Sequence, residues 1–380
     1  METRNFPSIG ADISLLGYGG MRFPTVGEGN DAPIDAERAA LLLEHALSNG
    51  INYFDTAWPY HGGKSEEFMA SVLSRHPRES YFLADKLPIW LVSSVEEAEA
   101  TFEEQLKRCR TDYFDFYLVH ALDDERFPKM EALGVYDLLS RKKAEGKIRR
   151  LGFSFHDSPA VLEEVLSAHP WDFAQIQLNY LDWTLQSAKE QYEAIVRHDL
   201  PVVVMEPVRG GALAKLSDKA VDILKAAESN RSAASWAIRY AASLPNVMTV
   251  LSGMTTMEQL DDNLATMSPF QPLSDAERAT LQEALTAYLS AGTVPCTGCR
   301  YCMDCPAGVD IPKSFAMYNQ FKLDGRVGHL LNSHGYMGEA HQPSKCVGCG
   351  ACLPLCPQHI RIPDMLSEVA AAVCQAESAK

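Results

Sequence analysis

No run of eighteen apolar residues occurs in this chain, so a membrane-spanning helix is not expected. The opening stretch, METRNFPSIGADIS, lacks the charged start and apolar run of a secretory leader, and a cytoplasmic protein is expected. Basic residues are in the minority: 34 Lys and Arg stand against 50 Asp and Glu, for a net charge of −16. A nucleic-acid groove needs clustered cations, so neither nucleic acid nor a membrane is expected as a partner. Cysteine is nearly missing from the first 295 residues, where Cys109 stands alone. The 380 residues suffice for a large barrel plus a small module, and the apolar fraction of 46% suffices for a core.

The absent cysteines reappear together. Eight fall between Cys296 and Cys356, and Cys374 trails behind. The first group reads Cys296-Thr-Gly-Cys299-Arg-Tyr-Cys302-Met-Asp-Cys305-Pro306. The second reads Cys346-Val-Gly-Cys349-Gly-Ala-Cys352-Leu-Pro-Leu-Cys356-Pro357, the run of bacterial ferredoxins. Thiolates at intervals of three wrap one corner of a cubane, small glycines let the backbone approach it, and the fourth Cys turns away to the other cluster. The first group departs from this run in its last gap, which is two residues. Even so, Cys305-Pro-Ala-Gly-Val-Asp-Ile-Pro312 echoes Cys356-Pro-Gln-His-Ile-Arg-Ile-Pro363. A helical pattern at 312–323 lies between the groups, and the segment resembles the helix-rich ferredoxin modules of larger oxidoreductases. Disulfides do not suit a reducing compartment. Zinc binds C-x2-C pairs but does not need four cysteines in a short run, twice over. Two [4Fe–4S] clusters are expected, on Cys296, Cys299, Cys302, Cys305, Cys346, Cys349, Cys352 and Cys356.

Before residue 290, strand-like segments at 13–17, 53–55, 81–84, 114–119, 148–153, 173–178, 202–205 and 247–251 alternate with amphipathic stretches such as 35–49, 95–109 and 158–169. Such alternation implies a parallel sheet with crossover helices. Eight units fit an α/β fold of the (β/α)8 TIM-barrel kind over 1–290, followed by a small, mainly α-helical ferredoxin-like domain over 291–380. A doubly wound sheet is the alternative, but no G-x-G-x-x-G follows the first strand. Barrel chemistry sits where strands end. Asp55, Lys86 and His120 close the second, third and fourth strands, and Tyr60 follows Asp55 in a loop. Singly, each suits a local cap or pair. Together they can protonate a carbonyl oxygen: Tyr60 as acid with its pKa lowered by Lys86, Asp55 holding Lys86, and His120 orienting the carbonyl.

The segments Gly17-Tyr-Gly-Gly-Met-Arg22, Phe54-Asp-Thr-Ala-Trp-Pro-Tyr60, Leu83-Ala-Asp-Lys86 and Asp115-Phe-Tyr-Leu-Val-His120 resemble the aldo-keto reductases over roughly residues 4–290. With the cysteine tail, the chain resembles the branch carrying a C-terminal 4Fe–4S ferredoxin-type domain. The resemblance implies a catalytic tetrad of Asp55, Tyr60, Lys86 and His120, and a nicotinamide dinucleotide extended across the barrel mouth. Gly20, Met21 and Arg22 fall in the first of these segments, and they and Asp55 are assigned to cofactor binding. Ser154 and Gln175, with Asn179 as a further candidate, match carboxamide contacts; Phe155 stands where an Asn commonly follows the Ser, and His156 comes next. Met205 takes the place of a stacking Tyr, and a thioether packs on a ring face. The glycine-rich turn with Pro207, Arg209, Gly211 and Leu213 suits a pyrophosphate. Gly253, Thr255, Gln259, Asp262 and Asn263, at a helix start that favours phosphate, match the adenosine end. NADP(H) is expected from the family, although this segment lacks the Lys or Arg that many relatives place at the 2′-phosphate, which leaves NAD(H) open.

A hydride transfer between this cofactor and a small-molecule carbonyl or alcohol is the leading expectation. The clusters relay electrons to a redox partner protein or hold structure, and no flavin motif links one-electron clusters to a two-electron hydride. A cofactor-retaining sugar epimerase and a binding or regulatory barrel with little turnover are the alternatives. Trp58, Trp90, Trp183 and His156 are candidate pocket residues.

Overall fold

The computed structural model describes residues 1–27 and 32–378. Two short strands, β1 (Thr3–Asn5) and β2 (Asp12–Ser14), pair antiparallel at the start of the chain. Eight further strands follow: β3 (Leu16–Gly19), β4 (Tyr53–Asp55), β5 (Phe82–Leu87), β6 (Phe114–Leu122), β7 (Ile148–Phe155), β8 (Phe173–Gln177), β9 (Val202–Met205) and β10 (Val247–Ser252). They close into a parallel barrel in chain order, with β10 pairing back onto β3. Helices alternate with these strands, so the barrel holds over the doubly wound alternative.

The expected first strand at 13–17 proves to be two strands. Ile13 belongs to the β1–β2 hairpin and Leu16 opens the barrel. The chain turns between them because Ser14 is held sideways: its backbone N–H donates to Asn52 Oδ1 at 2.8 Å and its hydroxyl donates to Leu16 O at 2.8 Å. The hairpin and its loop supply a plug. Ile9 and Ile13, with Phe6 and Ala11, pack against Tyr53, Phe116, Phe173, Val203 and Met248, all from barrel strands. This closes one end in apolar contact and leaves the strand C-termini to carry polar chemistry.

The helices begin where the sequence offers caps. Asp35, Ser94, Ser158 and Thr256 each accept a hydrogen bond from the backbone three residues on. Ser274 and Glu277 form a reciprocal capping box before Asp275–Leu289.

By compactness the chain divides into residues 1–207 with 237–273, which hold the whole barrel, and residues 208–236 with 274–380. The second unit contains the eight clustered cysteines. Its core gathers Val309, Ile311, Phe315, Leu330, Ile362, Leu366 and Val369. These come mainly from helices Ile311–Asp324, Val327–Gly335 and Ile362–Ser378. Helices Asp218–Ala227 and Asp275–Leu289 also pack together in this unit. Among the described residues no helix is long and apolar enough to cross a membrane.

Candidate active site and cluster-binding module

Within the barrel unit, three polar side chains arrive at adjacent strand ends. Lys86, fully buried near the end of β5, donates from Nζ to Asp55 Oδ1 at 2.6 Å and to Thr56 O at 2.8 Å. Its ammonium also lies 5.1 Å from the centroid of the Tyr60 ring. His120, on β6, stands edge-on to Tyr60 with centroids 6.1 Å apart. Asp55, Tyr60, Lys86 and His120 are therefore brought together. Tyr60 is fixed by a turn in which its carbonyl accepts from Lys64 N and Ser65 N at 3.2 Å each. His61, Gly62 and Gly63 follow it in the left-handed region.

The electrostatics correct one expectation. Burial, followed by the Asp55, Glu206 and Asp85 carboxylates, pushes the Tyr60 phenol well above its ordinary value rather than below it. Lys86 cannot reverse this, because Asp55 already answers its charge. Burial also raises Asp55, with Lys86 pulling the other way, and Oδ2 of Asp55 finds no hydrogen-bond partner among the described residues. Burial, with Lys86, His156 and Arg126 as neighbouring cations or potential cations, holds His120 well below its ordinary value. The result is a protonated phenol beside a neutral imidazole.

Two acidic side chains beneath the site were not singled out in the sequence. Asp85, next to Lys86 and fully buried, accepts from Lys86 N at 2.8 Å and lies 3.6 Å from the Cys109 thiol. Glu66 pairs with Arg108 at 2.9 Å and accepts from Gln105 Nε2, which also reaches Lys86 O at 3.0 Å. This network braces the strand that carries Lys86. Its one sequence signal was Asp85, a second ionisable residue beside Lys86 in a strand whose other members are apolar.

The expected cofactor residues fall into three groups. Ser154 Oγ accepts from Ala121 N at 2.7 Å, and Gln175 Nε2 donates to Met205 Sδ at 3.5 Å. Gln175 Oε1 is buried without a hydrogen-bond partner among the described residues, so an acceptor is left for a bound amide. Asn179 is different. Its side chain is spent on Asp182, Leu181 N and Glu206 O, which makes it a turn residue.

The second group surrounds the start of helix Met257–Met267. Thr255 donates from Oγ1 to Arg22 O at 3.0 Å and from its amide to Gln259 Oε1 at 2.8 Å. A Cβ on Gly253 would sit 2.9 Å from Arg22 Cβ, so Gly there lets Arg22 pack over the helix start. Gly20 has the same character: a Cβ there would meet Met69, Ser65 and the Asp55 carbonyl at 2.8, 2.9 and 3.1 Å. Met21 lies beside them in the short turn Gly20–Arg22, and Arg22 pairs with Glu206 at 3.4 Å. Asn263 is buried and donates to Ser252 Oγ, while Asp262 is half-buried one turn into the helix.

The third group is the turn after β9. Pro207 ends the barrel unit, and Arg209, Gly211 and Leu213 lie in the second unit. Gly211 N and Leu213 N both donate to Val208 O, at 3.0 and 3.1 Å. Arg209 is buried and donates from Nη2 to Gln358 Oε1 at 2.8 Å.

Of the candidate pocket residues, Trp90 lies 5.0 Å from the His120 ring, and His156 is close enough for its charge to act on His120. Trp58 instead covers Arg108, and Trp183 packs with Tyr192 and Tyr240.

In the second unit the two cysteine runs repeat as structures. Gly298 and Gly348 share a left-handed backbone (φ 65° and 70°), as do Arg300 and Gly350 (φ 69° and 77°). Gly308 and His359 do so after each Cys-Pro (φ 71° and 50°), so the shorter gap before Cys305 leaves the following turn intact. Cys296, Cys299 and Cys302 line one cavity together with Cys356, the last cysteine of the other run. Conversely, Cys352 has Cys346, Cys305 and Cys349 as its neighbouring thiols. Three thiols of one run thus neighbour one cysteine of the other in each case. Burial pushes the Cys296 thiol up to about 11, with Cys299 and Cys356 adding to it, and it raises Cys302 further. Clustered buried thiols of this kind deprotonate when a cationic metal centre shares the site. Gly298 N already donates toward Cys296 Sγ at 3.4 Å. Apolar walls from Ile311, Phe315 and Ile360 complete the cavity.

Two family models match this chain. Residues 15–286 match the Aldo/keto reductase family, and residues 295–360 match a 4Fe-4S dicluster domain. The uncharacterized oxidoreductase YqkF of Bacillus subtilis is 26% identical, over 70% of this chain and 90% of its own. The probable aldo-keto reductase 1 of Glycine max is 29% identical, but the match spans 48% of this chain and only 52% of that protein. Among solved structures, the holo form of aldo-keto reductase AKR11C1 from Bacillus halodurans superimposes with a TM-score of 0.62 at 26% identity, covering 75% of this chain and 96% of its own. The chain belongs to the aldo/keto reductase family of oxidoreductases and carries a C-terminal 4Fe-4S domain.

Proposed function

We propose that the barrel interconverts a small-molecule carbonyl and its alcohol with NADP(H), and that the C-terminal unit holds two [4Fe–4S] clusters. The observation that carries the first reading is the buried Lys86–Asp55 pair at 2.6 Å lying under the Tyr60 ring, with a neutral His120 beside it. The reduced nicotinamide supplies the hydride when bound. Tyr60, kept protonated, gives its proton to the substrate oxygen as negative charge develops there. The neutral imidazole of His120 donates a hydrogen bond to the same oxygen and orients it. Lys86, held by Asp55 and Thr56, lies close enough to disperse charge on the phenolate that remains. Trp90 packs on His120 and narrows the approach for water. Ser154 and the unpartnered Gln175 Oε1 suit the carboxamide, and Gly253, Thr255, Gln259, Asp262 and Asn263 suit the adenosine end. NADP(H) ranks ahead of NAD(H) on family usage, since 253–263 contains no Lys or Arg to decide it. Binding titrations with NADPH and NADH test this directly; tighter NADH binding overturns the order.

The cluster quartets are read as Cys296, Cys299, Cys302 with Cys356, and Cys346, Cys349, Cys352 with Cys305. A hydride carries two electrons and such a cluster passes one, so these centres stand outside the hydride step. Cys349 is exposed, which puts the second quartet within reach of a redox partner protein. A Cys349→Ser variant should keep carbonyl reduction and lose electron exchange with an external one-electron acceptor. Loss of carbonyl reduction as well would mean that the module serves the barrel's fold instead.

A further inference from the structure

We propose that Arg209 is the cation that sets the reduction potential of the cluster held by Cys296, Cys299, Cys302 and Cys356. This rests on the cluster assignment above. Its position is unusual for an arginine. The side chain is 1% exposed, and the backbone sits in the left-handed region at φ 51°, followed by Gly210 and Gly211 at φ 63° and 94°. A non-glycine residue held there is strained, and strain of this kind collects at sites where a side chain must be aimed. The guanidinium is aimed inward, onto Gln358 Oε1 at 2.8 Å. Gln358 itself lines the cavity that Cys296, Cys299, Cys302 and Cys356 enclose. Arg209 is thus one hydrogen bond from that cavity.

The chemistry follows from charge. Four thiolates make the site anionic, and taking up one electron adds a further negative charge. A buried guanidinium favours that reduced form, and does so strongly because little water screens it. Charge and hydrogen bonding around the thiolates are the means by which a protein tunes such a centre. The chain's net charge of −16 acts in the opposite direction, so the loss of this cation would be felt. Arg300 also lines this cavity but is half-buried, whereas among the described residues no arginine of this unit other than Arg209 is buried.

The test is an anaerobic dithionite titration followed by electron paramagnetic resonance, on the whole protein and on Arg209→Lys, Arg209→Gln and Gln358→Leu. Iron and sulfide contents are measured first. Arg209→Gln should lower the first cluster's potential by a tenfold change in its reduction equilibrium, 59 mV for one electron. Arg209→Lys should recover more than half of that, and the second cluster should not move. Should Arg209→Gln fail to load iron, Gln358→Leu reads the same effect by releasing the guanidinium, with a smaller fall. An unchanged potential in a fully loaded Arg209→Gln overturns the proposal, as does a fall in Arg209→Lys equal to that in Arg209→Gln. A single cluster in the parent protein that disappears in Cys356→Ser overturns the two-cluster reading and leaves the Arg209 test intact. A single cluster that survives Cys356→Ser overturns both.

Discussion

Replacing Lys86 by Met removes one partner of a buried ion pair and leaves the other. Asp55 is 3% exposed, its Oδ1 loses the 2.6 Å bond, and its Oδ2 has no partner among the described residues to fall back on. Breaking such a pair costs about 3–5 kcal/mol. Asp55 can limit the damage by taking a proton. From an unfolded value near 3.9, that costs about 1.4 kcal/mol per pH unit, so roughly 4 kcal/mol at pH 7 and about 1.5 kcal/mol at pH 5. The two routes to the figure agree. The sign follows from proton binding. In the variant the folded chain holds a proton that the unfolded chain releases above about pH 4, so its stability relative to the parent falls as pH rises. Urea unfolding of the barrel, followed by circular dichroism at pH 5 and pH 7, should show the gap between parent and variant widening by at most roughly 2.7 kcal/mol, two units' worth of this linkage, since burial already raises Asp55 in the parent. The double variant Asp55→Asn/Lys86→Met should lose that pH dependence. An equal loss at both pH values would mean that Asp55 takes up no proton on folding in the variant, and the account of the pair would be wrong.

Further outcomes are expected. Tyr60→Phe should lower kcat for carbonyl reduction by about 10²–10⁴ while leaving the melting temperature and cofactor affinity in place, since only the proton donor is lost; steady-state kinetics and a binding titration check it. The raised Tyr60 phenol should also keep reduction active into alkaline buffer, with alcohol oxidation, which needs the deprotonated form, gaining as pH rises; a pH profile flat in both directions would contradict this. Cys356→Ser should abolish the same cluster signal as Cys299→Ser, and Cys305→Ser the same signal as Cys349→Ser, as read by iron content and paramagnetic resonance. Gly253→Val should weaken dinucleotide binding and also lower the unfolding midpoint, because its Cβ would fall 2.9 Å from Arg22 Cβ, a clash that only a backbone shift relieves; a binding titration and thermal unfolding check it.

Much of this protein could be read from its residues in order. Strand and helix periods, with a polar residue at each of three strand ends, located Asp55, Lys86 and His120, because strand direction and side-chain alternation are local properties of the chain. Cysteine spacing located the cluster module for the same reason. The split at Ile13 escaped, because it depends on Asn52, which is distant in the chain and fixes the Ser14 backbone. Asp85 and Glu66 escaped because their burial is set by what packs over them. The proton affinity of Tyr60 ran opposite to expectation: sequence puts a lysine near the phenol, but only the folded site shows Asp55 consuming that charge and burial opposing the phenolate. Spacing alone suggested that a fourth cysteine can cross over; which cysteine meets which run was decided by the packing of helices Ile311–Asp324 and Ile362–Ser378. Arg209 is the sharpest case. Its glycine-rich turn resembles a phosphate clamp in one dimension, yet in three its guanidinium meets Gln358, 149 residues away. Sequence determines which groups are available and how each short segment folds. Which charges face one another, and in how little water, is settled only when distant segments pack.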